Sequence, residues 1–281
     1  MSLFTKVEAT NSQGSLLTLQ LGDVSGGINV ENITGLDPVK ATLVSSSFAN
    51  QDGAVYQSSR RDTRNIVLTL GLDPDPTLNT VLSLRRYVYS FFRPKDQITL
   101  KFYVDDTDDS IEDGYLIAGV VESCLSEMFA QEPVINISVM CFDPDFQDPI
   151  PVNVTELQST DIVSTEVDYG GTTPTGLVFT VNVNQTLSEF SIYFVDPSNN
   201  TWSMDVSASF VTGDTVTIST VPGNKYATLL RAGVTSSILY AVSLQSTWYQ
   251  FAPGTNRIRL HAASSTAMPG SFSYVKRYGE L

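Results

Sequence analysis

The densest group of ionisable side chains in this 281-residue sequence is the acidic run Asp105, Asp106, Asp108, Asp109, Glu112 and Asp113. Clustered carboxylates are what Ca²⁺ requires. The run does not fit an EF-hand, which places Gly at its sixth position, whereas Ser110 stands sixth from Asp105. It reads instead as a solvated hairpin loop between strands over 98–104 and 115–121, and no metal is expected there. A basic group, Arg60, Arg61 and Arg64, lies in the same half of the chain. Two opposite clusters suggest a second use, pairing across an interface between copies, where such charges orient docking more than they add affinity. Arg60, Arg61, Arg64, Asp105, Asp106, Asp108 and Asp109 are therefore the candidate interface residues.

The rest of the inventory argues against catalysis. His261 is the only histidine, so neither a Ser-His-Asp triad nor a zinc site can be assembled around it. It lies on the face opposite Ile258 and Leu260, beside Arg257 and Arg259, and is expected to point outward. Gly22, Gly26 and Gly27 have no following Lys-Ser/Thr, so a phosphate-cradling loop is missing. Thirty acids make accidental carboxylate pairs inevitable, and none stands out as a glycosidase pair. Cys124 and Cys141 sit in apolar runs and read as reduced, structural residues. No enzyme activity and no cofactor are expected. Of the two tryptophans, Trp248 looks like core filling, while Trp202 follows the turn Asn199-Asn200-Thr201 and is the candidate for stacking on a sugar ring.

Charge narrows the partners further. The chain has 16 basic and 30 acidic residues, a net charge of −14, which is the wrong sign for gripping phosphates. No run approaches eighteen apolar residues and the opening MSLFTKVEAT has no long apolar core, so neither membrane insertion nor export is expected, and synthesis is expected to be cytosolic.

These residues must be held by strands. Ile66, Leu68, Leu70 and Leu72, then Ile98, Leu100, Phe102 and Val104, then Ile135, Ile137, Val139 and Cys141 alternate with period two. The same alternation returns in Phe190, Ile192 and Phe194, and in Ile258 and Leu260. A single helix is predicted over about 77–92, from Pro76 to the residues before Pro94. A boundary is expected near residue 150. Residues 1–150 hold 10 basic and 21 acidic side chains, residues 151–281 only 6 and 9, and three prolines fall between Pro144 and Pro151. The predicted fold is mainly β: an N-terminal α+β domain (1–150) with a barrel-like or sandwich-like sheet and one helix, then a β-sandwich (151–281).

The order of these elements resembles the distal tail proteins of long-tailed, non-contractile bacteriophages. The resemblance is carried in the first half by the Gly35-Leu36-Asp37-Pro38 turn, the Asp52-Gly53 turn, the arginine cluster leading into Ile66-Val67-Leu68, the basic-centred helix, and the closing Cys141-Phe142-Asp143-Pro144-Asp145-Phe146. In the second half Gly213-Asp214-Thr215-Val216, Pro222-Gly223-Asn224-Lys225, Trp248-Tyr249 and the stretch from Phe251 to Asn256 are similar to the galectin-like sandwich that often follows. The resemblance implies a structural virion protein at the distal end of the tail. Its copies would close as a hexameric ring with an axial channel for DNA, between the tail tube protein and the tail hub or tip protein, near the tape measure and receptor-binding proteins. The N-terminal domains would form the ring and the galectin-like domains would project outward as adaptor or receptor-binding modules. An acidic conduit agrees with a cargo that should not stick, and no sequence-specific nucleic-acid binding is implied. The alternative is a carbohydrate-binding, lectin-like module for receptor recognition, although the galectin sugar constellation cannot be matched residue by residue.

Overall fold

The computed structural model describes residues 4–21, 26–50, 52–75, 77–104, 114–126, 133–263 and 266–281. The chain is mainly β and divides into two compact units, Met1–Pro149 with Tyr278–Leu281, and Ile150–Arg277. The chain thus leaves the first unit after Pro149 and its last four residues return to it.

The first unit contains β1 (Phe4–Asn11), β2 (Leu16–Gln20), β3 (Ile28–Thr34), β4 (Ala41–Ser46), β5 (Val55–Arg61), β6 (Arg64–Leu72), α1 (Val81–Phe91), β7 (Gln97–Val104), β8 (Tyr115–Ser126), β9 (Val134–Cys141) and the short β10 (Phe146–Gln147). Its main sheet runs β2-β1-β7-β8-β9-β6-β3, and β10 pairs with β8. Alternation decides which face is buried: Ile66, Leu68 and Leu70 of β6 are wholly buried and meet Ile135, Ile137 and Val139 of β9 in one core. Each such side chain contributes about 1.5–3 kcal/mol by leaving water. Helix α1 adds Leu84, Val88 and Phe91 to that core. It starts at Val81, four residues later than the sequence suggests. Asp75 takes the backbone N–H and hydroxyl of Thr77 in a turn of its own, at 2.8 and 2.6 Å. Thr80 then caps the helix, its hydroxyl accepting from the Ser83 N–H at 3.2 Å while Ser83 Oγ accepts from the Thr80 N–H at 2.9 Å. No helix among the described residues is long and apolar enough to cross a membrane.

The second unit is built from β11 (Val152–Gln158), β12 (Thr165–Tyr169), β13 (Leu177–Asn182), β14 (Leu187–Val195), β15 (Thr201–Phe210), β16 (Thr215–Ser219), β17 (Tyr226–Arg231), β18 (Val234–Ser237), β19 (Gly254–Ala262) and β20 (Pro269–Tyr274). A six-stranded sheet, β11-β20-β13-β16-β17-β18, faces a four-stranded one, β12-β19-β14-β15, across a shared core. Aromatic rings join the layers: Phe179 of β13 meets Phe194 of β14 at 5.6 Å, and Phe194 stacks on Tyr249 at 4.8 Å. This is the β-sandwich expected from the short alternating runs. A final pair of residues, β21 (Arg277–Tyr278), pairs with β10.

Candidate interaction surface

Among the described residues, strands β4 and β5 pair only with each other, in a two-stranded hairpin separate from the main sheet. The reason is legible locally. The β5 sequence VYQSSRR has no apolar alternation to bury, and every residue of β5, with all but one of β4, is exposed. Leu43, Val44, Phe48, Val55 and Tyr56 are nonetheless large and apolar, with Leu43 67% and Tyr56 61% exposed. The hairpin is a protruding arm that carries apolar side chains into water, the pattern of a surface waiting for a partner.

The predicted arginine cluster sits at the foot of this arm and divides into three different roles. Arg60, opposite Thr42, is exposed. Arg61 forks onto Asp145, Nη1 to Oδ1 and Nη2 to Oδ2, the second bond at 2.8 Å. These hydrogen bonds to the Asp145 carboxylate raise the Arg61 pKa. Arg64 is only 1% exposed, which corrects its expected place at an interface. Its Nε donates to the Pro144 carbonyl at 2.7 Å, Nη1 to the carbonyls of Gly35 and Asp37 at 2.6 and 2.7 Å, and Nη2 to that of Gly279. The guanidinium also lies 4.5 Å over the Phe146 ring. Burial pulls its pKa down from the ordinary arginine value. A guanidinium is suited to this task because its planar fork reaches several carbonyls at once. Gly35 belongs to the same knot: its φ is +90°, and a Cβ there would lie 2.0 Å from the Asn65 carbonyl oxygen.

The acidic half of the proposed pairing, Asp105, Asp106, Asp108 and Asp109, lies outside the described residues, between the antiparallel strands β7 and β8. Among the described residues no group of three His, Cys, Asp or Glu is placed to hold a metal. Cys124 and Cys141 are free thiols whose pKa values burial pushes up to about 11 and about 12, which leaves them little thiolate character. Trp202 is 41% exposed on β15 opposite Phe194, in phase with the core-facing Met204 and Val206 rather than with the outward residues of its strand. Trp248 is half-buried against the core.

Sequence reasoning missed the arm's apolar set. The available signal was two short strands without alternation on either side of Asp52-Gly53. It also missed Asp145 and Asn256. Asn256 is fully buried, accepts from Tyr249 Oη at 2.8 Å and the Ala252 N–H at 3.2 Å, and donates to the carbonyls of Ala252 and Gly254 at 2.7 and 2.9 Å.

The geometry can be set beside known proteins. Residues 18–152 match the model of the phage tail protein RIFT-related domain, and residues 170–278 match that of the siphovirus-type tail component, C-terminal domain. No curated protein matches significantly by sequence. The crystal structure of the SPP1 Dit protein, described as a paradigm of the hub adsorption apparatus in phages infecting Gram-positive hosts, is similar with a TM-score of 0.70 at 15% identity, over 96% of this chain and 98% of that one. A chain of the phage P2 baseplate in its activated conformation with Ca aligns over 98% and 99% of the two chains at 9% identity, with a TM-score of 0.46. The adjoining family matches, one to each half and in the order that the arm-bearing unit and the sandwich follow, place this chain in the siphophage distal tail protein family, a family of structural tail components.

Proposed function

We propose that this chain is the ring-forming distal tail protein of its virion. Six copies close at the end of the tail tube, with the tube protein on one face, the hub or tip protein on the other and an axial channel for DNA between them. Copies join through heterologous contacts, which give a closed ring only when the rotation between neighbours closes. The tape measure and receptor-binding proteins are further partners, and no bond-making chemistry is involved.

The observation that carries this reading is the β4–β5 arm. It places five large apolar side chains in water on a hairpin that takes no part in the core of its own unit, and burial on a neighbouring copy removes that exposed area. Its flank is basic at Lys40 and Arg60, whereas residues 1–150 carry a net charge of −11, so an arm is drawn towards the next copy. A net charge of −14 per copy also keeps the ring from holding the DNA that passes through it. Light scattering and electron microscopy of the purified chain test the reading. Six-fold rings are expected, and the triple variant Leu43→Ser/Phe48→Ser/Tyr56→Ser is expected to run as a monomer. A wild-type monomer, or rings that survive the triple variant, would overturn it.

A further inference from the structure

The outer face of the β12-β19-β14-β15 sheet carries an ordered set of polar side chains that the tail role does not use. Phe190, Ile192 and Phe194 of β14 and Ile258, Leu260 and Ala262 of β19 point into the core, so the alternate residues stand on the opposite face. Register aligns these in rows. One row is Asp205, Ser191 and His261, and the next is Ser203, Tyr193 and Arg259. Serines form a low floor on β14 and β15, and Tyr193, Arg259 and His261 rise beside it as a wall. The Arg259 guanidinium lies 5.0 Å over the Tyr193 ring, and the His261 ring centre is 6.2 Å from it. Asp205 is fixed by the hydroxyls of Ser191 at 2.6 Å and Ser203 at 3.2 Å. Arg259 makes one long bond, from Nη1 to the Ile162 carbonyl at 3.4 Å, which leaves most of its five N–H groups available. His261 is exposed. One row beyond, Glu189 opposite Ser207 opens into a depression of about 550 Å³ that Ser188, Ser209 and Ala263 also line.

We infer that this face is a binding site for an uncharged, hexose-type saccharide. The argument is one of matching donors and acceptors. A sugar presents hydroxyls that each donate and accept, together with an apolar ring face. Here carboxylate acceptors at Asp205 and Glu189 alternate with donors at Arg259 and His261 around one aromatic ring. A polyanion would meet Glu166, Asp168, Glu189 and Asp205 on the same face, against Arg259 and an Arg257 already paired with Glu166, and the two rows around Tyr193 hold serines, Asp205, Arg259 and His261 rather than apolar side chains. The strands hold the constellation before any ligand arrives, which lowers the cost of ordering it. Trp202, out of phase with this face, is no part of the site.

The inference does not depend on ring closure, and the test separates the two. Full-length protein, with its particle mass recorded, is applied to an array of uncharged hexose- and N-acetylhexosamine-containing oligosaccharides, with dextran sulfate as the polyanionic comparator. At least one uncharged saccharide is expected to bind. Tyr193→Ala and Arg259→Ala should weaken it by about tenfold or more, while Tyr193→Phe and Trp202→Ala leave it intact. Unchanged melting curves confirm that the variants fold, and an unchanged particle mass separates loss of binding from loss of assembly. Binding of dextran sulfate alone, binding of no saccharide, or binding that survives both alanine variants would overturn the assignment.

Discussion

The β4–β5 arm and the outer face of the four-stranded sheet are both uncovered strand surfaces, yet their chemistry is opposite. The arm exposes leucine, valine, phenylalanine and tyrosine on a hairpin with no core of its own. The sheet face exposes serine, arginine, histidine and carboxylates on strands whose other side packs into the core of the sandwich. An apolar surface on a thin support is stabilised when another protein covers it. A polar surface on a rigid support keeps its hydrogen-bonding groups aligned for a small, wet ligand. Each is backed by one buried polar residue that ties several backbone groups together, Arg64 at the root of the arm and Asn256 near the start of β19.

Substitutions at these roots should break the two regions independently, because each unit has its own core. Arg64→Met strands four carbonyls and removes the contact with Phe146, and is expected to destabilise the first unit by about 3–5 kcal/mol. Hydrogen exchange of β6 and β9 measures this, and saccharide binding by the second unit should be unaffected. Asn256→Ala should cost the second unit about 2–3 kcal/mol, since Tyr249 and three backbone groups lose their partner. Both tryptophans belong to that unit, so fluorescence in a urea titration reports its midpoint without interference.

A smaller effect is expected from pH. Asp214 is buried and Arg231 forks onto it, Nε to Oδ1 at 2.8 Å and Nη2 to Oδ2 at 2.5 Å, which holds its carboxyl below the usual carboxylate range. The unfolded chain therefore takes up the proton first. The stability from this carboxylate is complete above a pH of about 4 and is lost as the pH falls through the lower folded value. Melting curves of the wild type should fall more steeply in that window than those of Asp214→Asn, which starts lower at neutral pH. The smallest change in stability belongs to the triple serine arm variant, within about 0.5 kcal/mol of wild type per site, because those side chains are exposed in the single copy. A large loss would mean that the arm packs on its own unit.

Much of the fold was readable because burial writes a period into the chain. Ile66 to Leu72, Ile98 to Val104 and Phe190 to Phe194 alternate, and each is a strand with one buried face. The helix was readable as well, except for its start, where the Asp75–Thr77 turn competes with helical bonding over the first four predicted residues. The surfaces were less legible. The three arginines look alike in sequence, and only the surroundings separate an exposed one, a paired one and a caged one.

Amphipathic alternation, a charge balance of −14 and the order of turns and strands come from neighbours along the chain, so the sequence alone determined the β class, the acidic balance and the family resemblance. Tertiary structure decided that Arg64 is spent on carbonyls as far away as Gly279, and that Tyr193 stands between Ser203 and Arg259. Those juxtapositions depend on strand register across tens to hundreds of residues, and a one-residue slip would send every side chain of a strand to the other face.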